Sequence, residues 1–546
     1  MNEKLKIIPL GGLGEVGRNM TVIQYGDAMI VIDCGLMFPE SDMPGVDLVL
    51  PNFTYLAENV EHLLGYFITH GHEDHHGALG HVLPQAPAPI YATRLTRGLI
   101  EVRLKEHKLL DSAVIHTVEH DDVIEIGPFR IEPIRVAHSI PDAVGYAVHT
   151  PLGTVVHSAE YKFDLTPVMG NTTDIHKLAR LGEAGVLALL SDSTNAERAG
   201  WTPSESIVRE TLERVFERAE GRIIIATFAS NISRVQEVIN VAEEFERRVG
   251  LVGRSMENNG EMAHKLGYLE SEPGTLASIG ELDGLPDDEV VICCTGTQGE
   301  PTSALVRMAD GRHPRIKLRP GDTVVLSASP IPGNEELVHR TLDNLFRQGA
   351  HVLYQALAPV HVSGHASREE LKLMLKLTSP RYFIPSGGEY RMLALHKELA
   401  EELGMPSENI FVIESGQVLE FDANGVRHGD SVPGGYIFVD GSGIGDIGEA
   451  VLRERRSLSF AGFVIVNLVV DAQSGEVKDL ELMTRGWVYR PESEAVLSEL
   501  EDFVRRMVRG AEPGGNLSEL LRKRVGDLVY ERTRRRPMVM VSVLEA

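Results

Sequence analysis

The sequence predicts an α/β protein of several domains. Three observations predict it. An apolar run, Leu63–Ile68, stops at a cluster of histidines and acids, so that Ile68–Gly77 reads I-T-H-G-H-E-D-H-H-G. Strands and helices alternate from Arg222 to Gln355 in the pattern of a doubly wound sheet. A glycine-rich stretch, Gly434–Gly448, precedes a small α/β module. A chain of 546 residues fits about three domains on size alone.

Composition narrows the class. Hydrophobic residues make up 43% of the chain, enough for ordinary buried cores. No apolar run approaches the ~20 residues of a membrane helix. The first ten residues, M-N-E-K-L-K-I-I-P-L, hold too short an apolar stretch for a secretory signal, so a cytoplasmic protein is expected. Cys34, Cys293 and Cys294 form no disulfide framework and read as reduced core thiols. A net charge of −26 excludes a protein coated in basic residues, but a local basic groove on an acidic body remains open.

The strand before the cluster, Leu63–Ile68, ends where α/β folds place their chemistry. Four histidines and two carboxylates fall between His70 and His76. Imidazole and carboxylate together suit zinc or manganese. His70 and His72 are spaced to grip one ion, and Asp74 and His75 to face a second beside it. A histidine-rich surface loop is the plain alternative. Upstream, Gly12, Gly14 and Gly17 match a dinucleotide fingerprint, but Met20–Tyr25 reads as a strand where that motif needs a helix. The glycines are expected to form a tight loop near the cluster. Asp33, ending M-I-V-I-D-C-G, points to the same region or serves a turn.

Beyond the cluster, Leu95–His107 predicts a helix, and Val114–Gly127 and Phe129–Ala137 predict strands. The second ends at His138, a third ligand or a plain core histidine. Gly153–Ser158 leads to Glu160, and Val186–Leu190 to Asp192 in S-D-S-T-N. A boundary falls near Arg198–Pro203. Thr202-Pro203-Ser204-Glu205 has the pattern of a capping box opening a helix over Glu205–Ala219. In the second domain, strands are expected at Arg222–Phe228, Val290–Cys294, Thr323–Ser327 and His351–Gln355, with helices at Ser233–Arg248 and Glu335–Gln348. F-A-S-N-I-S, 228–233, offers Ser230, Asn231 and Ser233 to a phosphate or as a helix cap. H-V-S-G-H-A-S, 361–367, opens a helix over Arg368–Leu377. The C-terminal module reads as strand Phe460–Val470, helices Glu492–Arg509 and Leu517–Thr533, and strand Met538–Val543. Arg532, Arg534, Arg535 and Arg536 form a basic run for RNA, a solvated face or a subunit contact.

With H-x-H-x-D-H, His138 and Glu160 at successive strand ends, the chain resembles the metallo-β-lactamase superfamily. S-D-S-T-N and S-G-H-A-S resemble its β-CASP subgroup of nucleic-acid nucleases. G-G-L-G-E-V-G-R-N-M, D-C-G-L-M-F-P-E, T-H-G-H-E-D-H, Y-K-F-D-x-T-P and H-V-S-G-H-A-S are similar to bacterial ribonuclease J over the whole chain. The resemblance implies an αββα sandwich at residues 1–200 and 358–433, and an inserted β-CASP domain at 201–357. A linker at 434–455 and a C-terminal α/β domain at 456–546 would complete the chain. It implies zinc held by His70, His72 and His138, and a second ion by Asp74 and His75, with Glu160 between them. It gives catalytic roles to Asp74, Asp192 and His365. It assigns RNA phosphates to Ser230, Asn231, His361, Val362, Ser363, Gly364, His365, Ala366 and Ser367. It also suggests a structural calcium, for which Asp47 and Asp440 are the candidates, and manganese as an alternative ion.

The implied activity is 5′-to-3′ exonuclease and endonuclease cleavage of single-stranded RNA, preferably 5′-monophosphorylated, in RNA maturation and decay. A homodimer or homotetramer, RNA-decay partners and no membrane association are expected. Two positions depart from the family pattern. Glu160 stands where aspartate is usual; one extra methylene moves a carboxylate by ~1 Å, against ligand tolerances of ~0.2 Å. Gly387, in Pro385-Ser386-Gly387-Gly388-Glu389, stands where a second-site histidine is usual. A firm first metal and a weak or empty second are therefore expected. Two other readings stay open: a catalytically impaired homologue that binds or scaffolds RNA, and a small-molecule hydrolase such as a lactonase. The inserted domain argues against the lactonase.

Overall fold

A computed structural model describes residues 4–40, 42–331, 333–471, 473–488, 494–509 and 516–546. The chain forms two compact units, residues 1–38 with 49–437, and residues 39–48 with 438–546. Among the described residues no helix is long and apolar enough to cross a membrane.

The first unit contains the αββα sandwich that the resemblance implies. One sheet has eight strands, running in space from Gly425–His428 through Leu419–Asp422, Leu5–Gly11, Met20–Tyr25, Ala28–Ile32, Leu63–Phe67 and Ile90–Ala92 to Ile115–Thr117. The other has six: Tyr382–Ser386, Val186–Asp192, Gly153–His157, Val144–Thr150, Phe129–Arg135 and Ile124–Ile126. Their inner faces share one apolar core that includes Ile7, Ile23, Ile30, Phe67, Ile131, Tyr146, Val155 and Leu190. Helices Ile175–Ala184, Arg368–Thr378 and Tyr390–Glu402 bury Leu178, Leu181, Leu371, Met374 and Leu399 against the outer face of the six-stranded sheet.

Two sets of parallel strands end at one edge. Ala28–Ile32 pairs parallel with Leu63–Phe67 and delivers Asp33 and Thr69. Gly153–His157, Val186–Asp192 and Tyr382–Ser386 pair in parallel with His157 opposite Leu190 and Asp192 opposite Ser386. Parallel pairing aligns carboxyl ends, so the loops bearing Glu160, Asp192 and Gly387 emerge side by side.

The inserted domain is a five-stranded parallel sheet in the order Arg248–Val252, Val290–Cys294, Ile223–Ala226, Thr323–Leu326, His351–Leu353. These strands are near-continuous runs of Val and Ile because helices cover both faces. Ile223, Ile225, Val291 and Cys293 point into one core, and Ile224, Ile292, Cys294 and Val324 into the other.

The second unit centres on Phe463–Val470, antiparallel to Val477–Arg485 and parallel to Met538–Glu545. Val464, Val466, Leu468 and Val470 face helices Glu494–Arg509 and Leu517–Thr533, burying Leu500, Val504, Leu521 and Val525.

Several sequence expectations are corrected. Val114–Gly127 is two short strands, Ile115–Thr117 and Ile124–Ile126, because the chain crosses between them from the eight-stranded sheet to the six-stranded one. The helix expected over Ser233–Arg248 stops at Glu244, and Arg248–Val252 is an edge strand. The segment Gly434–Gly448 holds short strands Tyr436–Asp440 and Gly443–Ile444, and helix Glu449–Ala461 follows. The strand expected from Phe460 therefore starts at Phe463, after Gly462 with φ +71° has turned the chain. The expected capping box does not form. Helix Ser206–Arg218 starts without a side-chain cap, because Thr202 hydroxyl donates to the His365 carbonyl (2.7 Å) and Glu205 pairs with Arg234.

Glu370 explains why that segment is drawn away. Its side chain is fully buried. One oxygen accepts the Phe163 N–H (2.8 Å); the other accepts the N–H groups of Thr202 (2.7 Å) and Ser367 (2.9 Å). One carboxylate thus ties three remote segments, and each N–H it satisfies would otherwise be costly to bury. Glu370→Ala leaves all three unsatisfied, at roughly 1–3 kcal/mol each. We expect it to lower unfolding stability in urea by about 3 kcal/mol or more, and Glu370→Gln by less.

Candidate metal centre

Local sequence shapes the cluster first. After the strand Leu63–Phe67, His70 and His72 lie on an extended turn, and Glu73–His76 forms one helical turn that carries Asp74 and His75. His138 follows the strand Phe129–Arg135. Ala159 takes a left-handed φ of 56°, rare for a residue with a side chain, and turns Glu160 toward the cluster.

Tertiary structure then brings these side chains together. Two groups of donors are found among the described residues: His70, His72, His138 and Glu160, and Asp74, His75 and Glu160, each with ligand atoms within 4.8 Å of one another. In the first group His70 Nε2 lies 3.0 Å from His72 Nδ1, which lies 3.3 Å from His138 Nε2. Glu160 Oε2 lies 3.1 Å from His138 Nε2 and 3.5 Å from His70 Nε2. Bonds of about 2.0–2.1 Å to a tetrahedral zinc imply donor separations of roughly 3.3 Å, so these four atoms fit one ion. In the second group Glu160 Oε1 lies 3.1 Å from His75 Nε2, which lies 3.6 Å from Asp74 Oδ2. The two oxygens of Glu160 thus face different groups, and the longer side chain reaches both.

The outer partners fix the rings. His138 Nδ1 donates to the Gly364 carbonyl (2.8 Å), and His75 Nδ1 donates to Asp33 Oδ2 (2.7 Å). Asp33 also accepts the Thr69 N–H and hydroxyl at 2.8 and 2.9 Å. Such partners leave the opposite ring nitrogen free for a metal. Burial, and then neighbouring imidazoles, push His70 and His72 well below the ordinary histidine range, so both rings are neutral donors. Burial opposes ionisation of Glu160, yet His365 and His75 hold its carboxyl well below the usual range.

His365 stands beside the donors. Its Nδ1 lies 2.8 Å from Asp192 Oδ2, and its Nε2 3.9 Å from Glu160 Oε2. Burial works against its charge, but the Asp192 and Glu160 carboxylates overcome it and push it up to about 9. Asp192 is itself held by the Thr194 N–H and hydroxyl on its other oxygen, at 3.0 and 2.7 Å.

The loop 361–367 is built largely by its own bonds. Ser363 hydroxyl accepts from the Asn195 amide (2.9 Å) and the His365 N–H (3.2 Å). Val362, Ala366 and Ser367 are buried, and Ser367 forms a capping box with Glu370. His361 is half-buried, its Nδ1 has no hydrogen-bond partner, and burial with Arg234 pushes it down to about 4. Ser230 precedes Asn231, whose side-chain oxygen caps its helix by accepting the Arg234 N–H at 3.0 Å. Arg234 reaches from that helix to the Val360 carbonyl (2.9 Å), tying it to the segment before His361.

Some residues stand apart. His76 turns away and bonds the Gly71 carbonyl (3.2 Å). Gly387, φ +66°, brings no donor; a Cβ there would lie 3.1 Å from Asp192 Oδ1. In the second unit, Asp47 accepts the Gly441 N–H (2.7 Å) and Asp440 pairs with Arg455 (2.6 Å), so a guanidinium already neutralises Asp440.

One neighbour of the second group escaped the sequence reading. The Asn19 amide lies 3.1 Å from His75 Nε2 and 3.1 Å from the Asp74 carbonyl. Its seat requires Gly12, φ +83°, where a Cβ would fall 2.2 Å from Asn19 Oδ1. The G-G-L-G-E-V-G-R-N-M run carried that signal.

The fold and the donor set define a metallo-hydrolase of the β-lactamase superfamily with an inserted domain. Family comparisons agree in detail. Residues 29–197 match the beta-lactamase superfamily domain, 220–345 the ribonuclease J beta-CASP domain, 350–413 the Zn-dependent metallo-hydrolase RNA specificity domain, and 450–546 the ribonuclease J C-terminal domain. The chain is 42% identical to ribonuclease J2 of Bacillus subtilis (strain 168), over all of this chain and 99% of that one. It is 42% identical to ribonuclease J of Thermus thermophilus, over all of this chain and 96% of that one. The chain belongs to the ribonuclease J family. A crystal structure of a protein of unknown function from Enterococcus faecalis V583 shares the fold, with a TM-score of 0.56 at 17% identity over 77% of this chain and all of that one.

Gly364 tests the assembly. A Cβ there would lie 2.6 Å from His138 Cε1 and 2.9 Å from the Ser139 nitrogen. Gly364→Ala therefore displaces His138, and we expect affinity for a divalent metal, measured by chelator competition, to fall about 10–100-fold while the far-UV CD spectrum is kept.

Proposed function

We propose that this protein is a metal-dependent ribonuclease that degrades single-stranded RNA from a 5′-monophosphate end and also cuts internally, in RNA maturation and decay in the cytoplasm. The observation that carries this reading is the placement of His365, backed by Asp192, against the carboxylate shared by both donor groups. A nucleophile site and a proton donor meet there, as hydrolysis of a phosphodiester requires. Family membership supplies the substrate class.

Zinc, or manganese in its place, bound by these donors would supply positive charge to the phosphate and acidify a bound water. The residues do the rest. His70, His72, His138 and Glu160 would hold the first ion, and Asp74, His75 and Glu160 a second. Asp74, whose side chain is 33% exposed, is the most open donor and orients the water. Asp192 fixes His365 through Nδ1, so Nε2–H points toward the site and protonates the departing oxygen. Ser230, Asn231, His361 and the loop Val362–Ser367 are the candidates for holding phosphates of the strand, with the N–H groups of His365 and Ser367 already taken by Ser363 and Glu370. Assembly as a dimer or tetramer through the C-terminal module, and association with other RNA-decay proteins, belong to the same reading.

A binding-only role is the competing reading, favoured by one observation: the second group has three donors and Gly387 adds none. Incubation with 5′-monophosphorylated RNA and Mn²⁺ separates the two. Products that depend on the metal support the nuclease; retained gel-shift binding without products at high enzyme supports the scaffold. His365→Ala is expected to lower kcat by about 10²–10⁴ with RNA affinity kept.

The donor count also predicts two unequal metal steps. Calorimetric titration of the metal-free protein with zinc should show one tight ion and a second bound at least about 10-fold more weakly. Gly387→His should narrow that gap, since histidine is among the residues that tolerate a left-handed φ. Equal, tight binding of two ions by the unaltered protein would rule out the weak second site.

A further inference from the structure

The basic run at the end of helix Leu517–Thr533 divides into two pairs. Arg532 binds Glu499 through two nitrogens, and Arg535 donates to the Trp487 carbonyl (2.6 Å), so both serve the packing of the second unit. Arg534 and Arg536 do not. Both are exposed, and among the described residues neither has a carboxylate within ion-pair distance. Instead both guanidiniums lie over the Tyr530 ring, at 5.4 and 4.4 Å from its centroid, and that ring is 36% exposed.

The backbone is shaped to produce this arrangement. Arg534 sits in the left-handed region, φ 56°, at the helix C-cap, where glycine is usual. A residue with a side chain is strained there. The turn folds the chain back so that positions 534 and 536 both meet a side chain one helical turn earlier. In a protein of net charge −26, two unpaired guanidiniums held around one aromatic face are a local exception to the prevailing field.

We propose that Tyr530, Arg534 and Arg536 form an accessory site for single-stranded RNA, outside the metal centre. The chemistry is specific to that ligand. Guanidinium forks match phosphate oxygens, and guanidiniums resting on a partly exposed ring offer a stacking surface to an unpaired base. The proposal rests on the ribonuclease reading for its substrate and adds a second point of contact, which only a strand longer than a single site can use together with the first.

The test uses the full chain and 5′-phosphorylated phosphorothioate oligoribonucleotides of about 4 and about 30 nucleotides. Fluorescence anisotropy over a salt series gives affinity and its salt slope. Replacing both arginines, Arg534→Ser with Arg536→Ser, should weaken binding of the long strand about 10-fold. Two lost phosphate contacts should flatten the log–log salt slope by about 1.4, and affinity for the short strand should not change. Equal affinity and slope for the long strand overturn the proposal. So does an equal loss on both lengths, which would place the effect in the catalytic groove. A changed sedimentation coefficient with unchanged RNA binding would assign the arginines to a subunit contact instead. Should the unaltered protein bind neither length, the ribonuclease reading itself fails, and this site with it.

Discussion

The chemistry of this protein depends on the register of three parallel strands. Gly153–His157, Val186–Asp192 and Tyr382–Ser386 pair in step, so their carboxyl ends stop at one level. Parallel pairing fixes that level through evenly spaced hydrogen bonds, and the apolar faces of the strands, buried on both sides, resist slippage. A shift by one residue would exchange the core face for the outer one. It would also move Asp192 away from His365 and carry Glu160 out of reach of the imidazoles. The tight loops then amplify the alignment: Ala159 turns Glu160 inward, and Asp192 stays at the strand end where Thr194 holds it.

Glu160 shows how one carboxylate can serve two groups of donors. Its two oxygens separate the histidine-rich group from the smaller one, with contacts of 3.1 Å on each side. At its full length, after the left-handed turn at Ala159, the side chain brings one oxygen to each group. Gly387 cannot be compensated in that way, because no rotation of a glycine supplies a donor. The two groups are thus unequal, four donors against three. The inserted domain bears on the site through Arg234, which ties helix Ile232–Glu244 to the segment leading into His361.

Buried polar bonds join the distant parts of the first unit. Glu370 satisfies backbone donors from three segments, Thr202 hydroxyl supports the His365 carbonyl, and Gly364 supports His138. These bonds explain why a stretch that looked like a helix cap became a strap. Thr202 and Glu205 had partners available in tertiary structure that outweighed the capping box. Similar competition explains the Asn231 cap, where the local alternative won.

The amino-acid sequence by itself determined the α/β class, the run of histidines and acids behind an apolar strand, and the family motifs in their order. Those features are local: strand periodicity, glycine turns and ligand spacing are written over a few residues. His70, His72, Asp74 and His75 were legible for that reason. Spacing alone did not join His138, Glu160, Asp192 and His365 to that cluster; the family resemblance did, and the tertiary structure brings them within reach of one another, sets Asn19 beside His75 and turns His76 away. It also decided which arginines of the basic run are spent on packing and which stay free. Convergence of residues hundreds of positions apart depends on sheet register and buried hydrogen bonds, and neither leaves a mark in the spacing along the chain.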